Sequence, residues 1–308
     1  MKRKINFQDV VIGMDIGGTD IKCAVVDTQG KILRRFQRPA SSKKNESAIL
    51  KNILQTYHEA KKWALSRRKK VQALGFGIPG IVSKAGIVYR SPHFPAWIDY
   101  PIRQELHSKI RLPIVVDNDA NMAALGEGWL GVARSWNDYI LFTLGTGIGG
   151  GIVIDRKVFR GDSGFAGEIG HMVLHKEGYA CACGGQGCLE LYASASGIEK
   201  MSPFSPKKLF QLALKGDKDS RKIFNHLGEN LGAGIASIVN ILDIERIIVG
   251  GGLSGAWKIF QASLRRGVQK HIYPTTAGKI RLVKAQLGND AGILGSAKAA
   301  WNILEEKK

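Results

Sequence analysis

Short apolar runs alternate with tight polar turns at the start of the chain. Residues 10–16 (Val-Val-Ile-Gly-Met-Asp-Ile) and 21–27 (Ile-Lys-Cys-Ala-Val-Val-Asp) flank Gly17-Gly18-Thr19-Asp20, and residues 31–37 follow the Gln29-Gly30 turn. This spacing predicts three strands in an antiparallel meander. Apolar positions at Ile49, Ile53, Leu54, Tyr57, Ala60, Trp63 and Ala64 then recur with a helical period. They predict a helix over 46–70, with Arg67-Arg68-Lys69-Lys70 at the negative end of its dipole. A strand over 71–78 runs into Pro79-Gly80, and a strand at Ile114-Val115-Val116 opens a helix carrying Met122, Leu125, Trp129 and Leu130.

The pattern repeats roughly 130 residues on, too long a period for a solenoid. Strands over 139–144 and 149–154 enclose Gly145-Thr146-Gly147, and a third candidate begins near Val158. A long amphipathic helix covers about 217–241, and a strand at Arg246–Val249 enters Gly250-Gly251-Gly252. Two related α/β halves imply a cleft between them, where ligands usually bind.

The 308 residues suit two domains of ordinary size. A hydrophobic share of 44% with 23% charged residues excludes disorder, collagen and a disulfide scaffold. The net charge of +19 is unevenly placed: residues 1–70 hold 17 basic and 6 acidic side chains, residues 71–254 hold 18 and 17, and residues 255–308 hold 10 and 3. The surplus therefore sits at the two ends. No apolar run approaches the roughly 18 residues of a membrane span. The opening Met1-Lys-Arg-Lys is like that of a signal peptide, but Asp9 and Asp15 interrupt the apolar stretch that should come after it. Three of the four cysteines crowd into Cys181–Cys188, which argues against a secreted disulfide framework and for a cytoplasmic protein.

Several segments carry chemistry. In Asp15-Ile-Gly-Gly-Thr-Asp-Ile-Lys22, Gly17 and Gly18 let backbone N–H groups approach a phosphate, Thr19 offers a hydroxyl, and Asp15 suits a hydrated Mg²⁺. The plain alternative is an ordinary Gly-Gly hairpin. Gly145-Thr146-Gly147-Ile148-Gly149-Gly150-Gly151 is denser, five glycines in seven residues, and favours phosphate binding. Gly250-Gly251-Gly252 reads as a nucleotide-edge turn or as a tight strand-to-helix connection. Asp117-Asn118-Asp119-Ala120-Asn121 holds more Asx residues than one N-cap needs. A carboxylate at that strand end suits a base that accepts a proton from a substrate hydroxyl. Glu168-Ile-Gly-His171 and Cys181-Ala-Cys183-Gly-Gly-Gln-Gly-Cys188-Leu-Glu190 provide one histidine and three cysteines for tetrahedral Zn²⁺, with His175 competing for the histidine's place on spacing alone.

Together, Asp15-Ile-Gly-Gly-Thr, Asp117-Asn-Asp-Ala-Asn, Leu144-Gly-Thr-Gly-Ile-Gly-Gly-Gly, Gly167-Glu-Ile-Gly-His, Cys-x-Cys-Gly-x-x-Gly-Cys-Leu-Glu, Ile248-Val-Gly-Gly-Gly and the terminal Asp290-Ala-Gly-Ile-Leu-Gly-Ser resemble the ROK family of repressors, open reading frames and sugar kinases. The resemblance covers essentially the whole chain and leans toward glucokinase-type members. It implies the α/β, two-lobed actin-like ATPase fold of sugar kinases, with a central cleft and a zinc-bound loop. The expected lobes are a small one over 1–116, joined by the C-terminal helix 290–308, and a large one over 117–289 with the zinc loop at 171–190.

The resemblance also assigns roles. Asp119 is similar to the catalytic base, Asn118 to a ligand of neighbouring sugar hydroxyls, and Glu168, His171 and Glu190 to residues holding hydroxyls near the anomeric end, with Gly80 on the sugar side. It selects His171 over His175 as the zinc ligand beside Cys181, Cys183 and Cys188, so the metal would be structural, fixing the loop that carries three sugar contacts. Segments 15–22, with Lys22, and 145–151 are similar to the two phosphate loops, and 250–252 to the adenosine end.

The activity this resemblance implies is ATP- and Mg²⁺-dependent phosphorylation of a hexose, glucose first, at its 6-hydroxyl. N-acylhexosamine and fructose kinases share these motifs, and the basic surplus of the two ends, which would lie on one lobe, suits a polyphosphate donor if it is more than a solvated surface. The expected enzyme is a cytoplasmic homodimer or larger homo-oligomer that binds no membrane and no specific DNA. A sugar-responsive repressor carries a winged helix before the first phosphate loop, where only 14 residues precede Asp15 here. Intact phosphate loops and Asp119 disfavour an inactive sugar-binding module. Two departures stand out. Asp20 adds a negative charge beside the first phosphate loop, offset if Lys22 shares its face, and Ser91-Pro-His-Phe-Pro-Ala-Trp-Ile-Asp matches the sugar-side segment only loosely.

Overall fold

The computed structural model describes residue 6, residues 8–40 and residues 46–305. The basic opening Met1-Lys-Arg-Lys and residues 306–308 of the expected C-terminal segment lie outside them. Two compact units divide the chain. Unit 1 takes the described residues up to Trp136, the segment Arg156–Ala166 and the described residues from Asn289 on; unit 2 takes Asn137–Asp155 and Gly167–Gly288.

Unit 1 opens with β1 (Asp9–Ile16), β2 (Asp20–Asp27) and β3 (Ile32–Pro39), followed by α1 (Glu46–Ser66) and β4 (Lys70–Ile78). A small hairpin, β5 (Ile81–Val82) and β6 (Val88–Arg90), leads to α2 (Ile102–Ile110), β7 (Ile114–Asn118) and α3 (Asp119–Trp129). The sheet order is β3-β2-β1-β4-β7. β1, β2 and β3 form the expected antiparallel meander, while β4 runs parallel to β1 and β7 parallel to β4. The boundary after Trp136 differs from the expected one at 116 for that reason: β7 hydrogen-bonds to β4 from Leu74↔Ile114 to Ile78↔Asn118, so the strand and the helix it opens stay with the first sheet.

α1 buries Ile49, Ile53, Tyr57, Ala60 and Ala64 on the predicted stripe. It ends at Ser66, short of the expected 70. Arg68 turns left-handed (φ 54°), the Lys69 N–H bonds back to the Ala64 carbonyl at 2.9 Å, and Lys70 already begins β4. The basic run therefore lies beyond the helix and forms no part of its last turn.

Unit 2 repeats the plan. β8 (Tyr139–Leu144) and β9 (Ile148–Ile154) form an antiparallel hairpin; the short β10 (Lys157–Val158) falls in the Arg156–Ala166 segment of unit 1. Then come α4 (Glu190–Ala193), α5 (Ala195–Met201), α6 (Pro206–Leu214), α7 (Lys218–Leu242), β11 (Arg246–Gly250), α8 (Trp257–His271) and β12 (Arg281–Lys284). β8 runs parallel to β11, and β11 to β12, a strand that the sequence pattern does not announce. α7 starts where the Asp217 carboxylate accepts the Ser220 N–H at 2.8 Å and stops at left-handed Asp243. Its Phe224, Leu227, Leu231 and Ile235 pack with Phe260, Leu264 and Val268 of α8.

The last helix, α9 (Ala291–Glu305), belongs to unit 1 and lies against β1, β4 and α3. The Ser296 hydroxyl donates to the Met14 carbonyl at 2.9 Å, and the Trp301 indole to the Asp27 carbonyl at 3.1 Å. The approach leaves no room for side chains. A Cβ at Gly75 would lie 1.8 Å from the Ser296 carbonyl oxygen, and one at Gly295 only 1.5 Å from that of Met122. Both neighbours are backbone and cannot swing aside. Gly295→Ala should therefore cost roughly 1–3 kcal/mol in urea unfolding, the usual penalty of overpacking. Gly278→Ala, which meets nothing within 4 Å, is the matched control and should stay within about 0.5 kcal/mol. Equal stability of the two variants would contradict this packing.

Candidate active site

In unit 1, Asp15 sits at the end of β1, directly opposite Lys22 in the β1–β2 register. The intervening turn is closed by the Gly17 N–H bonding to the Asp20 carbonyl at 2.9 Å, and Thr19 is exposed. Ile21 and Cys23 are buried while Asp20 and Lys22 stay part-exposed, so the two charges share one face as the alternation requires. A Cβ at Gly18 would lie 2.7 Å from Nδ1 of His93. The imidazole is thus pressed against the glycine backbone. Sequence reasoning missed His93, which lies in a loop with no telling spacing.

The Asx cluster divides its labour. The Asn118 side-chain oxygen caps α3, accepting the Ala120 and Asn121 N–H groups at 2.8 and 3.2 Å, while its amide donates to the Gly80 carbonyl at 2.9 Å. Gly80 holds φ at 116°, where a Cβ would meet the Arg90 carbonyl. Buried Asp117 accepts the Asn118 N–H, the Asn121 amide and Nε of Arg160, the last at 2.6 Å. Arg160 is a second residue that no sequence signal pointed to. Asp119 takes neither of these structural tasks: its carboxylate accepts the adjacent Ala120 N–H at 2.8 Å. Burial pushes the Asp119 carboxyl upward, against the pull of that N–H and of the His93 charge.

Asp15 shares this environment. Burial first, then the Asp119 charge, raise its pKa from 3.8 to about 6, with Lys22 pulling the other way. The first turn of α9 also lies close, since a Cβ at Gly292 would stand 3.0 Å from the Asp15 carboxyl carbon.

In unit 2, the β8–β9 turn is closed by the Gly145 N–H and the Gly147 carbonyl at 2.9 Å. Thr143 pairs with Gly149 on one side and Gly250 on the other, which brings the expected second phosphate loop and the 250–252 turn together. A Cβ at Gly251 would strike Leu144 backbone, whereas Gly145 and Gly252 face open space. Gly150 has a packing role, since a Cβ there would lie 2.4 Å from the Ile169 side chain. That contact seats the short 3-10 turn Ile169–His171, where the His171 ring lies 3.9 Å from the Glu168 carboxylate.

The ligand atoms of His171, Cys181, Cys183 and Cys188 all lie within 4.8 Å of one another. His171 Nδ1 is 3.7 Å from Cys181 Sγ, and Cys183 Sγ is 3.7 Å from Cys188 Sγ. Those separations match the edge of a tetrahedron built on bonds of about 2.3 Å to a central Zn²⁺. His175 is outside the cluster, its ring edge-on to Tyr192 at 4.6 Å. Burial and the neighbouring thiols push Cys188 up to about 12, so these sulfurs ionise together only with a cation among them.

The raised Asp15 pKa has a measurable consequence. An acid held at about 6 when folded and 3.8 when unfolded takes up a proton on folding between those values. Its ionised form opposes folding fully above pH 6, by up to about 3 kcal/mol, and not at all below pH 4. Asp15→Asn should therefore raise the thermal midpoint at pH 8 without divalent cations, with the gain vanishing by pH 4. A gain independent of pH would refute this reading.

The sequence matches the ROK family over residues 11–302. It is 34% identical to the glucokinase of Halalkalibacterium halodurans, covering 96% of this chain and 95% of that one. It is 30% identical to the xylose repressor of Caldicellulosiruptor bescii, covering 92% of this chain and 76% of the repressor. Among solved structures, a ROK family glucokinase from Streptomyces griseus in complex with glucose and AMPPNP aligns with a TM-score of 0.81 at 32% identity, over 95% of this chain and 99% of that one. The shared architecture is the α/β, actin-like ATPase fold of sugar kinases, present in each unit as a hairpin-led sheet with parallel strands behind it. On motif order, fold and whole-length similarity, the chain belongs to the ROK family.

Proposed function

We propose that this protein transfers the γ-phosphoryl group of ATP to the 6-hydroxyl of a hexose, with glucose as the preferred acceptor. The observation that carries the reading is Asp119, whose carboxylate is desolvated and free of any ion pair among the described residues, while Asp117 and Asn118 take the structural bonds around it. The glucokinase relatives support the acceptor, and the Streptomyces griseus complex with glucose and AMPPNP supports the pair of ligands.

The hydroxyl oxygen attacks the γ-phosphorus, ADP leaves, and the hydroxyl proton passes to Asp119. A carboxylate raised above its ordinary range is a stronger base at neutral pH, which suits that transfer. Asn118, Glu168, His171 and Glu190 orient the sugar hydroxyls, with Gly80 positioning Asn118 through its carbonyl. Backbone N–H groups of Gly18 and Thr19 and of Thr146 and Gly147 donate to phosphate oxygens, the Gly17 and Gly145 N–H groups closing their own turns, and 250–252 faces the adenosine. Asp15 would hold Mg²⁺, which when bound offsets phosphate charge. His171, Cys181, Cys183 and Cys188 would hold Zn²⁺, whose contribution is the fixed geometry of the loop between them.

Two experiments test this. Asp119→Asn should keep hexose affinity within a few-fold while turnover in a coupled assay over a hexose panel drops by at least about 100-fold, the low end for a lost general base. Near-normal turnover would remove Asp119 from the mechanism. Elemental analysis should find one zinc per chain, and Cys183→Ser should weaken hexose binding by about tenfold or more. Active protein without zinc would overturn the metal assignment.

A further inference from the structure

Glu190 touches two parts of unit 2 that the sequence motifs treat separately. It opens α4 two residues after Cys188, and its Oε1 lies 3.8 Å from Cys181 Sγ, at the edge of the cluster. Its other oxygen, Oε2, accepts the Ile148 N–H at 3.2 Å. The carboxylate also lies against the Gly147 backbone, where a Cβ would come within 2.2 Å of Oε2. One side chain therefore spans from the cysteine cluster to the β8–β9 turn.

The next segment of the chain grips the same turn from its carbonyl side. The Ala195 N–H bonds to the Gly145 carbonyl at 3.0 Å and the Ser196 N–H to the Thr146 carbonyl at 3.1 Å. Ser194 fixes this segment to Glu190 itself, its hydroxyl donating to the Glu190 carbonyl at 2.5 Å and capping α5 through the Gly197 N–H. None of these bonds uses the N–H of Thr146 or Gly147. The turn is thus held at the Gly145 and Thr146 carbonyls and at the Ile148 N–H, with the two N–H groups between left for a ligand.

We propose that Glu190 is a positioning residue for the nucleotide phosphates, holding the turn 145–148 in shape and passing the order of the cysteine cluster on to it. The inference rests on the reading of that turn as a phosphate loop. A carboxylate is itself repelled by phosphate, so its effect runs through the backbone: with Ile148 N–H and Gly147 fixed, the turn presents its free N–H groups without reordering on binding. A residue that served only the sugar would leave nucleotide binding alone. Here sugar-side and nucleotide-side geometry meet in one carboxylate, and the loop that carries it has Gly178, Gly184, Gly185 and Gly187 and few apolar residues to hold it otherwise.

The test is AMPPNP binding by calorimetry in the absence of any sugar, so that no sugar contact contributes. Wild-type protein with its measured metal content is compared with Glu190→Ala, Glu190→Gln and chelator-treated wild type, each checked by circular dichroism. Glu190→Ala should lose about tenfold or more in affinity, as for a hydrogen bond to a charged acceptor. Glu190→Gln, whose carboxamide oxygen still accepts the Ile148 N–H, should stay within about threefold, a rescue that a role of the negative charge alone would not give. Chelated but folded wild type should behave like Glu190→Ala. Unchanged affinity in Glu190→Ala, an equal loss in both variants, or full affinity after chelation would each overturn the proposal; the chelation arm decides if Glu190→Ala does not fold. Failure of the wild type to bind AMPPNP would instead overturn the kinase reading beneath it.

Discussion

The role proposed for Asp119, accepting a proton from a hydroxyl, carries one requirement: its surroundings must disfavour its charge with no permanent counter-charge beside it. Three consecutive side chains at the end of β7 show how it is met. Asp117 is buried and neutralised by Arg160, and Asn118 supplies the helix cap and the bond to Gly80. Asp119, one position later, is relieved of both tasks. Had the cap fallen to Asp119, further N–H groups would join that of Ala120 in holding its charged form, and it would be a weaker base. The cost of this arrangement appears at Asp15, which burial and the Asp119 charge hold at about 6 and which Lys22 across the hairpin only partly relieves. A destabilised pair of carboxylates is the usual mark of a functional site rather than of a stable core.

The second unit meets a different constraint. The stretch from His171 to Cys188 is rich in glycine and poor in large apolar residues, so burial cannot order it. Its contacts are mainly backbone hydrogen bonds across the loop, among them the Leu174 N–H to the Gly187 carbonyl at 2.8 Å and the Gly187 N–H to the Tyr179 carbonyl at 2.8 Å, with the Tyr192 hydroxyl receiving the Tyr179 N–H at 3.0 Å and the His175 and Tyr179 rings packed on Tyr192. A cation at the cluster would supply what an apolar core supplies elsewhere. Structural zinc is worth roughly 10–16 kcal/mol in small zinc domains, enough to offset the ordering of about ten residues.

Much of this was legible in the sequence because it depends on local pattern. Strand alternation placed β1, β2, β8 and β9, and the order of motifs pointed to the family. Cysteine spacing found the cluster, although only the structure sets His175 on Tyr192 and leaves His171 among the sulfurs. The misses share a cause. His93 and Arg160 reach the site from loops distant in sequence, and nothing in their own neighbourhood marks them. The helix end at Ser66 was hidden because Arg67–Lys70 are good helix formers, overruled by the left-handed Arg68 and the start of β4. The boundary after Trp136 was hidden because β7 and α3 stay with the first sheet through hydrogen bonding and packing that composition does not record.

The two glycine-rich turns are closed differently, by the Gly17 N–H to the Asp20 carbonyl and by the Gly145 N–H to the Gly147 carbonyl, and have different neighbours. Motif reading assigns their glycines to phosphate approach, but each turn holds one glycine that a protein side chain already requires. Gly18 carries the His93 ring on its backbone, and Gly147 carries the Glu190 carboxylate. A residue with a Cβ at either position would displace that partner before any ligand arrived. The turns therefore differ in the group placed over them: an imidazole over the first and a carboxylate over the second. The imidazole beside the first turn also bears on Asp119, whose pKa it lowers against the upward push of burial. The carboxylate beside the second adds no attraction for phosphate, and is compatible with a phosphate site only by shaping backbone that does the binding. The two hairpin turns occupy equivalent places in their units, and the side chains laid against their glycines set them apart: a ring against Gly18 in the first, a carboxylate that also takes the Ile148 N–H in the second.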